Sequence, residues 1–172
     1  MIKHLNDKRP TKLKVGNQFP IMNKWFAEEY DPRNKFGKDV KPQETNLKDI
    51  AERSFSEEYT IRVGDVCFVL IGQIVNRDLL AVRYQPSGNM VINSPIESPK
   101  LIERIKQDWG EIDKSGHLES LIEDLNKAPD MEARDAAIRL RFYYPDKIEK
   151  ILDDYKKHRM KRLQKNKGKK PI

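Results

Sequence analysis

The sequence is poor in the groups that usually carry chemistry. It holds one cysteine, Cys67, so no disulfide scaffold can form. Its three histidines, His4, His117 and His158, stand far apart and outside any paired spacing. One thiol and three scattered imidazoles make no structural zinc set, and no HExxH helix occurs. Each histidine is read as a surface residue. The longest unbroken apolar run, Val66 to Ile71, falls far short of the roughly 20 residues needed to cross a bilayer. No GxxxxGK[ST] loop, GxGxxG turn or GxSxG elbow is present, which removes the familiar routes to nucleotide chemistry and serine catalysis. Cys67 lies among Val66, Phe68 and Val69, where a thiol is normally buried and unreactive. No catalytic residue, metal site or cofactor is expected.

What is abundant is charge. The chain has 172 residues, of which 35% are charged and 37% hydrophobic. That length suits one domain with a modest core, since domains run roughly 100–200 residues. The net charge of +7 is unevenly spread. Residues 156–172 contain nine Lys or Arg and no acid, which leaves the first 155 residues at −2. Residues 1–14 add four net positives, so the stretch between is near −6. An acidic body carries two basic ends.

A basic end attracts polyanions by releasing their condensed counterions. Lys156, Lys157, Arg159, Lys161, Arg162 and Lys165 are the candidate polyanion-binding residues. The plainer reading is a favourable helix end that frays into a soluble terminus. No aromatic residue follows Tyr155, so the stacking platform of a single-strand binder is missing. The N-terminus has positive charge without an apolar stretch behind it. With a lone cysteine, this sets the expectation of a cytoplasmic protein.

Residues 1–17 read as a flexible basic N-terminus, 18–155 as a single helical domain, and 156–172 as a basic C-terminal tail. An aromatic-rich stretch predicts a short helix over about 20–30. Leu47, Ile50, Ala51 and Phe55 predict another, capped by Thr45 or Asn46. Cys67, Leu70, Ile71, Ile74 and Val75 then repeat at i, i+3, i+4, i+7, i+8. With Val66, Phe68 and Val69 on the other side, a buried central helix is expected. The rival is a central strand, because Gly72 weakens a helix by about 1 kcal/mol. Residues 78–97 are irregular or form a short β-hairpin between Leu79–Val82 and Met90–Ile92. Ser98-Pro99 starts a helix with Leu101, Ile102, Ile105 and Trp109 inward and Gly110 as its stop. Three amphipathic helices follow: one with Leu118, Leu121, Ile122 and Leu125, one with Ala133, Ala137, Leu140 and Tyr144, and one with Ile148, Ile151, Leu152 and Tyr155. Asp130 is available to cap the second. The expected class is mainly α, a compact domain of antiparallel helical hairpins.

Residues 118–152 resemble a HEAT-type helical repeat. The carrying residues are Leu121 and Leu125 on one helix, then Asp130, Arg134, Ala136, Ala137 and Leu140 on the next. A fainter echo spans 59–76, with Ile61-Arg62 ahead of an apolar helix. The resemblance implies a scaffold that displays surfaces to protein partners and implies no chemistry.

One polar constellation surrounds the irregular middle: Gln73, Asn76 and Arg77, then Arg83, Tyr84 and Gln85, then Asn89, Asn93 and Ser94. Two guanidinium forks among amides suit an anionic or sugar-like ligand. The alternative is that they satisfy the backbone of an irregular segment. Asp65 and Asp78 are available ion partners for Arg62, Arg77 or Arg83. Three function classes therefore stand: an interaction module without catalytic activity, a nucleic-acid-associated protein using the basic tail, and a small-ligand binder at 73–94.

Overall fold

In a computed structural model, the described residues are 1–16, 24–26, 58–84, 90–127 and 130–167. Among them are a 3-10 turn (Ile2–His4), five strands and five α-helices. The strands are β1 (Pro10–Gly16), β2 (Lys24–Phe26), β3 (Glu58–Arg62), β4 (Val82–Tyr84) and β5 (Met90–Ile92). The helices are α1 (Val63–Val75), α2 (Pro99–Trp109), α3 (Lys114–Lys127), α4 (Asp130–Tyr143) and α5 (Ile148–Lys167). The fold is mainly helical, as expected. The chain divides into two compact units, 1–111 and 112–172.

The first unit is built around α1, and it is a helix rather than a strand. Its start is fixed by the Asp65 carboxylate, which accepts from the Arg62 backbone N–H at 2.9 Å, the acidic half of a capping box. Its end is fixed by Asn76, whose N–H still reaches the Gly72 carbonyl and whose left-handed backbone (φ 58°) turns the Arg77 N–H back onto the same carbonyl at 2.9 Å. Cys67, Phe68, Ile71 and Val75 join Leu5, Leu79, Ala81, Leu101, Ile105 and Trp109 in one buried cluster. Burying a side chain of this size contributes about 1.5–3 kcal/mol. Gly72 is buried, and a Cβ there would meet the Arg77 carbonyl and the Leu79 side chain, both at 2.7 Å. Its lack of a side chain lets the following segment fold back across the helix.

The N-terminus departs from the flexible end expected of it. Leu5 is fully buried. The Asp7 and Arg9 carbonyls accept from the Gly64 and Val63 amides, each at 3.0 Å. These amides open α1 and have no partner within the helix, so the arm supplies what the helix lacks. β1 then pairs antiparallel with β3, Val15 opposite Tyr59, with an irregularity between Pro10 and Lys14. The basic charges face water; the backbone and Leu5 hold the segment down.

The hairpin between β4 and β5 forms as expected, slightly shifted: Val82 pairs with Ile92 and Tyr84 with Met90. β2 adds in parallel on the far side of β5. Lys24–Phe26 is thus strand where a short helix over 20–30 was expected, because non-local pairing overrides a weak local pattern. The rest of that range, the helix expected at 46–55, Gln85 and Asn89 lie outside the described residues. The start of α2 follows expectation: Ser98 accepts from the Leu101 N–H, and Pro99 is the first helical residue. Gly110 ends it in right-handed geometry.

The second unit is three helices around Leu121, Leu125, Ala136, Leu140, Tyr144 and Ile148. Asp113 starts α3 by accepting from the Gly116 N–H at 2.7 Å. Asp130 is the first residue of α4 rather than the cap before it. Helix α5 continues to Lys167, so most of the expected tail is helical rather than a frayed end. No helix among the described residues is long and apolar enough to cross a membrane.

Candidate interaction surface

Helix α4 has two apolar faces, and only one is used. Ala133, Ala136 and Leu140 are buried. Two of these are alanines, small enough for neighbouring helices to approach closely. At about 100° per residue, Met131, Ile138 and Phe142 fall within roughly 40° of one another on the opposite side. They are 78%, 58% and 76% exposed. Exposed Arg134 and Arg141 lie along one edge of that stripe, about two helical turns from each other. Glu132 and Arg139 lie along the other edge, and Asp135 interrupts the stripe itself. Arg139 also donates to the Asp135 carbonyl at 3.0 Å. Burial of three large side chains is favourable and their exposure is unusual in a chain this polar.

The C-terminal end of the stripe runs into a set of rings. Phe142 and Tyr143 meet edge to face with centroids 4.9 Å apart, and Tyr143 meets His117 in the same way at 5.3 Å. The Tyr144 hydroxyl donates to the Lys114 carbonyl at 2.9 Å. Its single proton is thereby committed, so His117 Nδ1, also 2.9 Å away, is the donor to that oxygen. Burial, with the nearby Asp113 charge, raises the Tyr144 pKa and keeps the hydroxyl protonated. His117 is therefore half-buried and bonded, not the surface residue its isolation in sequence suggests. The Tyr143-Tyr144 pair at the far end of the next helix was the available signal.

The polar constellation of the first unit is divided among several elements. Gln73 is exposed on α1. Asn76 is the buried left-handed residue that ends α1. Arg77 donates to the Val75 and Asn76 carbonyls at 3.3 and 3.0 Å, and its guanidinium lies over the Trp109 ring at 5.3 Å. A cation on the unpaired carbonyls of a helix end is favourable. Arg83 and Tyr84 are on β4, and the Tyr84 hydroxyl donates to the Gly16 carbonyl at 2.8 Å. Asn93 is buried and its N–H extends the hairpin by bonding the Ala81 carbonyl at 2.7 Å. Asn76, Arg77, Tyr84 and Asn93 thus each hold backbone in place.

A denser polar centre surrounds Asp65, which is 1% exposed. Its carboxylate accepts from the Tyr59 hydroxyl at 3.0 Å, from the Arg62 N–H and from the Ser94 hydroxyl over a very short contact. Ser94 in turn accepts from the Ile96 N–H at 3.1 Å. Burial pushes the Tyr59 hydroxyl well above its ordinary pKa. The Arg62 guanidinium pairs with Glu97 at 3.0 Å rather than with Asp65. The three side chains are closed to solvent, so the centre ties β3, α1 and the segment after β5 together and offers no access for a substrate.

Of the basic end, Lys156 and Lys157 sit 3.6 and 3.7 Å from Asp153 and Asp154. Such exposed pairs are worth little. Arg159, Lys161, Arg162 and Lys165 all fall within helix α5. Comparison with protein-family models, curated proteins and solved structures gave no match.

Proposed function

We propose that this chain is a protein-interaction module without catalytic activity, HEAT-like in character, whose contact surface is the outward face of α4. The observation that carries the reading is the exposure of Met131, Ile138 and Phe142 in register on one helix whose other side is already packed. Buried Ala136 and half-buried Ala137, two of the residues that carry the resemblance, support the HEAT-like comparison. The test is affinity capture from native extract, after nuclease treatment, with the full chain and with a Met131→Ser, Ile138→Ser, Phe142→Ser variant. A partner held by the first and lost by the second is expected. Identical retention by both sinks the reading.

A second reading rests on a separate observation. Helix α5 runs unbroken to Lys167, and from 156 to 167 it carries seven Lys or Arg and no acid. A helix holds those charges at about 1.5 Å per residue, an arrangement suited to a polyanion such as nucleic acid. Truncation after Tyr155 should abolish retention on a duplex, and binding should weaken steeply with salt. Binding that survives truncation removes this reading.

A further inference from the structure

The interaction reading leaves open what lies on α4, and the charges at the edges of the stripe narrow it. Resting on that reading, we propose that the occupant is an amphipathic helix of another protein with acidic residues beside its apolar stripe. Three features lead there. The stripe follows heptad-like spacing, with Ile138 seven residues after Met131 and Phe142 four further, which is the spacing a second helix meets when it packs alongside. The helix is 14 residues long, about 21 Å, which matches a partner of some four turns. The flanking charge is mainly positive: Arg134 and Arg141 on one edge and Arg139 on the other, against Glu132 and Asp135.

Arg134 and Arg141 stand seven residues apart, so their Cα atoms are about 10.5 Å apart along the axis. Both are exposed and neither has an ion pair among the described residues. Acids at i and i+7 on a partner helix would meet them both. Guanidinium forks suit carboxylates in this role because they can bond through two N–H groups at once. The same edge disfavours a second copy of this chain. In an antiparallel two-fold pairing of α4 with itself, an edge faces its own copy, which would bring four arginines onto one seam. Like charges juxtaposed in this way are costly and set partner choice.

The experiment uses the full chain and two labelled 18-residue synthetic helices with the same leucine stripe, one flanked by Glu and the other by Lys. Fluorescence anisotropy is expected to show the Glu-flanked peptide binding at least tenfold more tightly, with affinity falling as salt rises. Phe142→Ser should weaken it severalfold, and Arg134→Glu with Arg141→Glu should reverse the preference toward the Lys-flanked peptide. Equal binding of the two peptides, or none, overturns the proposal. So does Glu-peptide binding that survives both sets of substitutions, which would belong to the basic half of α5. Light scattering that shows a dimer, made monomeric by Phe142→Ser, assigns the face to a second copy instead. If neither peptide binds while capture from extract still depends on Met131, Ile138 and Phe142, the helix occupant fails and the interaction reading stands.

Discussion

The two units bury their chains by opposite means. Residues 1–111 draw their core from distant parts of the sequence: Leu5, Phe68 and Leu101 share one cluster, and β1 pairs with β3 across more than forty residues. Polar groups go inside with them, as the Asp65 carboxylate does against Tyr59, Ser94 and the Arg62 amide. Residues 112–172 are assembled from consecutive helices whose contacts are local in sequence, and three large apolar side chains on α4 remain outside. Among the described residues, the large apolar side chains that the first unit leaves outside, Met1, Leu13, Leu70 and Tyr84, lie singly on separate segments. The second has a face left over, and that difference is the physical basis for assigning recognition to α4 and structure to the polar centre.

The comparison breaks most readily at Asp65. Asp65→Ala leaves the Tyr59 and Ser94 hydroxyls and the Arg62 amide buried without their acceptor, at about 1–3 kcal/mol each. A total loss of about 4 kcal/mol or more is expected. Both tryptophans, Trp25 and Trp109, belong to residues 1–111, so tryptophan fluorescence reports on that unit during denaturation. A midpoint unchanged from the wild type would mean that the polar centre is incidental.

Leu140→Ala is the counterpart in the second unit. Leu140 is fully buried, and such truncations cost about 2–5 kcal/mol. The far-ultraviolet dichroism transition should move to lower denaturant while tryptophan fluorescence keeps its midpoint. Coincident shifts in both signals would show that the units unfold as one. Phe142→Ala, on the exposed side of the neighbouring turn, should change stability by no more than about 0.5 kcal/mol, as surface substitutions usually do.

Much of this architecture was legible in residue spacing. The five apolar positions from Cys67 to Val75 located α1, and Ser98-Pro99 located the start of α2, because both signals are local. Leu5 and β1 were not legible: one leucine in a basic stretch has no periodicity, and its burial depends on carbonyls that reach Val63 and Gly64 from outside the helix. Gly72 counted against a helix on propensity, yet it is required where Leu79 crosses. Of the candidate ligand residues, Asn76 and Arg77 follow directly on the apolar repeat that ends at Val75, but their bonds to backbone are not readable from composition. The stripe on α4 was legible only in part, since Met131, Ile138 and Phe142 are as apolar as the residues that were assigned to the core, and burial alone separates the two faces.

Asn76 gives a finer test of the first unit. Its φ of 58° costs an ordinary side chain about 1 kcal/mol. Asn76→Ala should therefore destabilise by about 1 kcal/mol, while Asn76→Gly should lose less, because glycine enters that region freely. Equal loss from both would mean that the buried side chain, rather than the backbone angle, sets the requirement.

The smallest expected effects come from pH, and they distinguish the units by the side on which they act. The Arg9 side chain and amide hold the Asp7 carboxyl down at about 2, below an ordinary value of about 3.9. A lowered carboxyl contributes stability that is present above its unfolded pKa and is lost as pH falls through the folded one, so this contribution fades between about pH 4 and pH 2. Asp7 is half-buried but Arg9 is largely exposed, and solvent screens their pair, so the change is a shallow slope rather than a transition. Asp7→Asn should flatten that slope in the tryptophan signal of the first unit and leave the midpoint at neutral pH almost unchanged. On the alkaline side the sign reverses. Tyr59 and Tyr144 have raised pKa values, so their contributions are present below about pH 10 and are lost above it, as the unfolded chain gains by ionising first. One of these tyrosines lies in each unit. Base should therefore move the fluorescence and dichroism transitions together, whereas the Asp7 arm should move fluorescence alone.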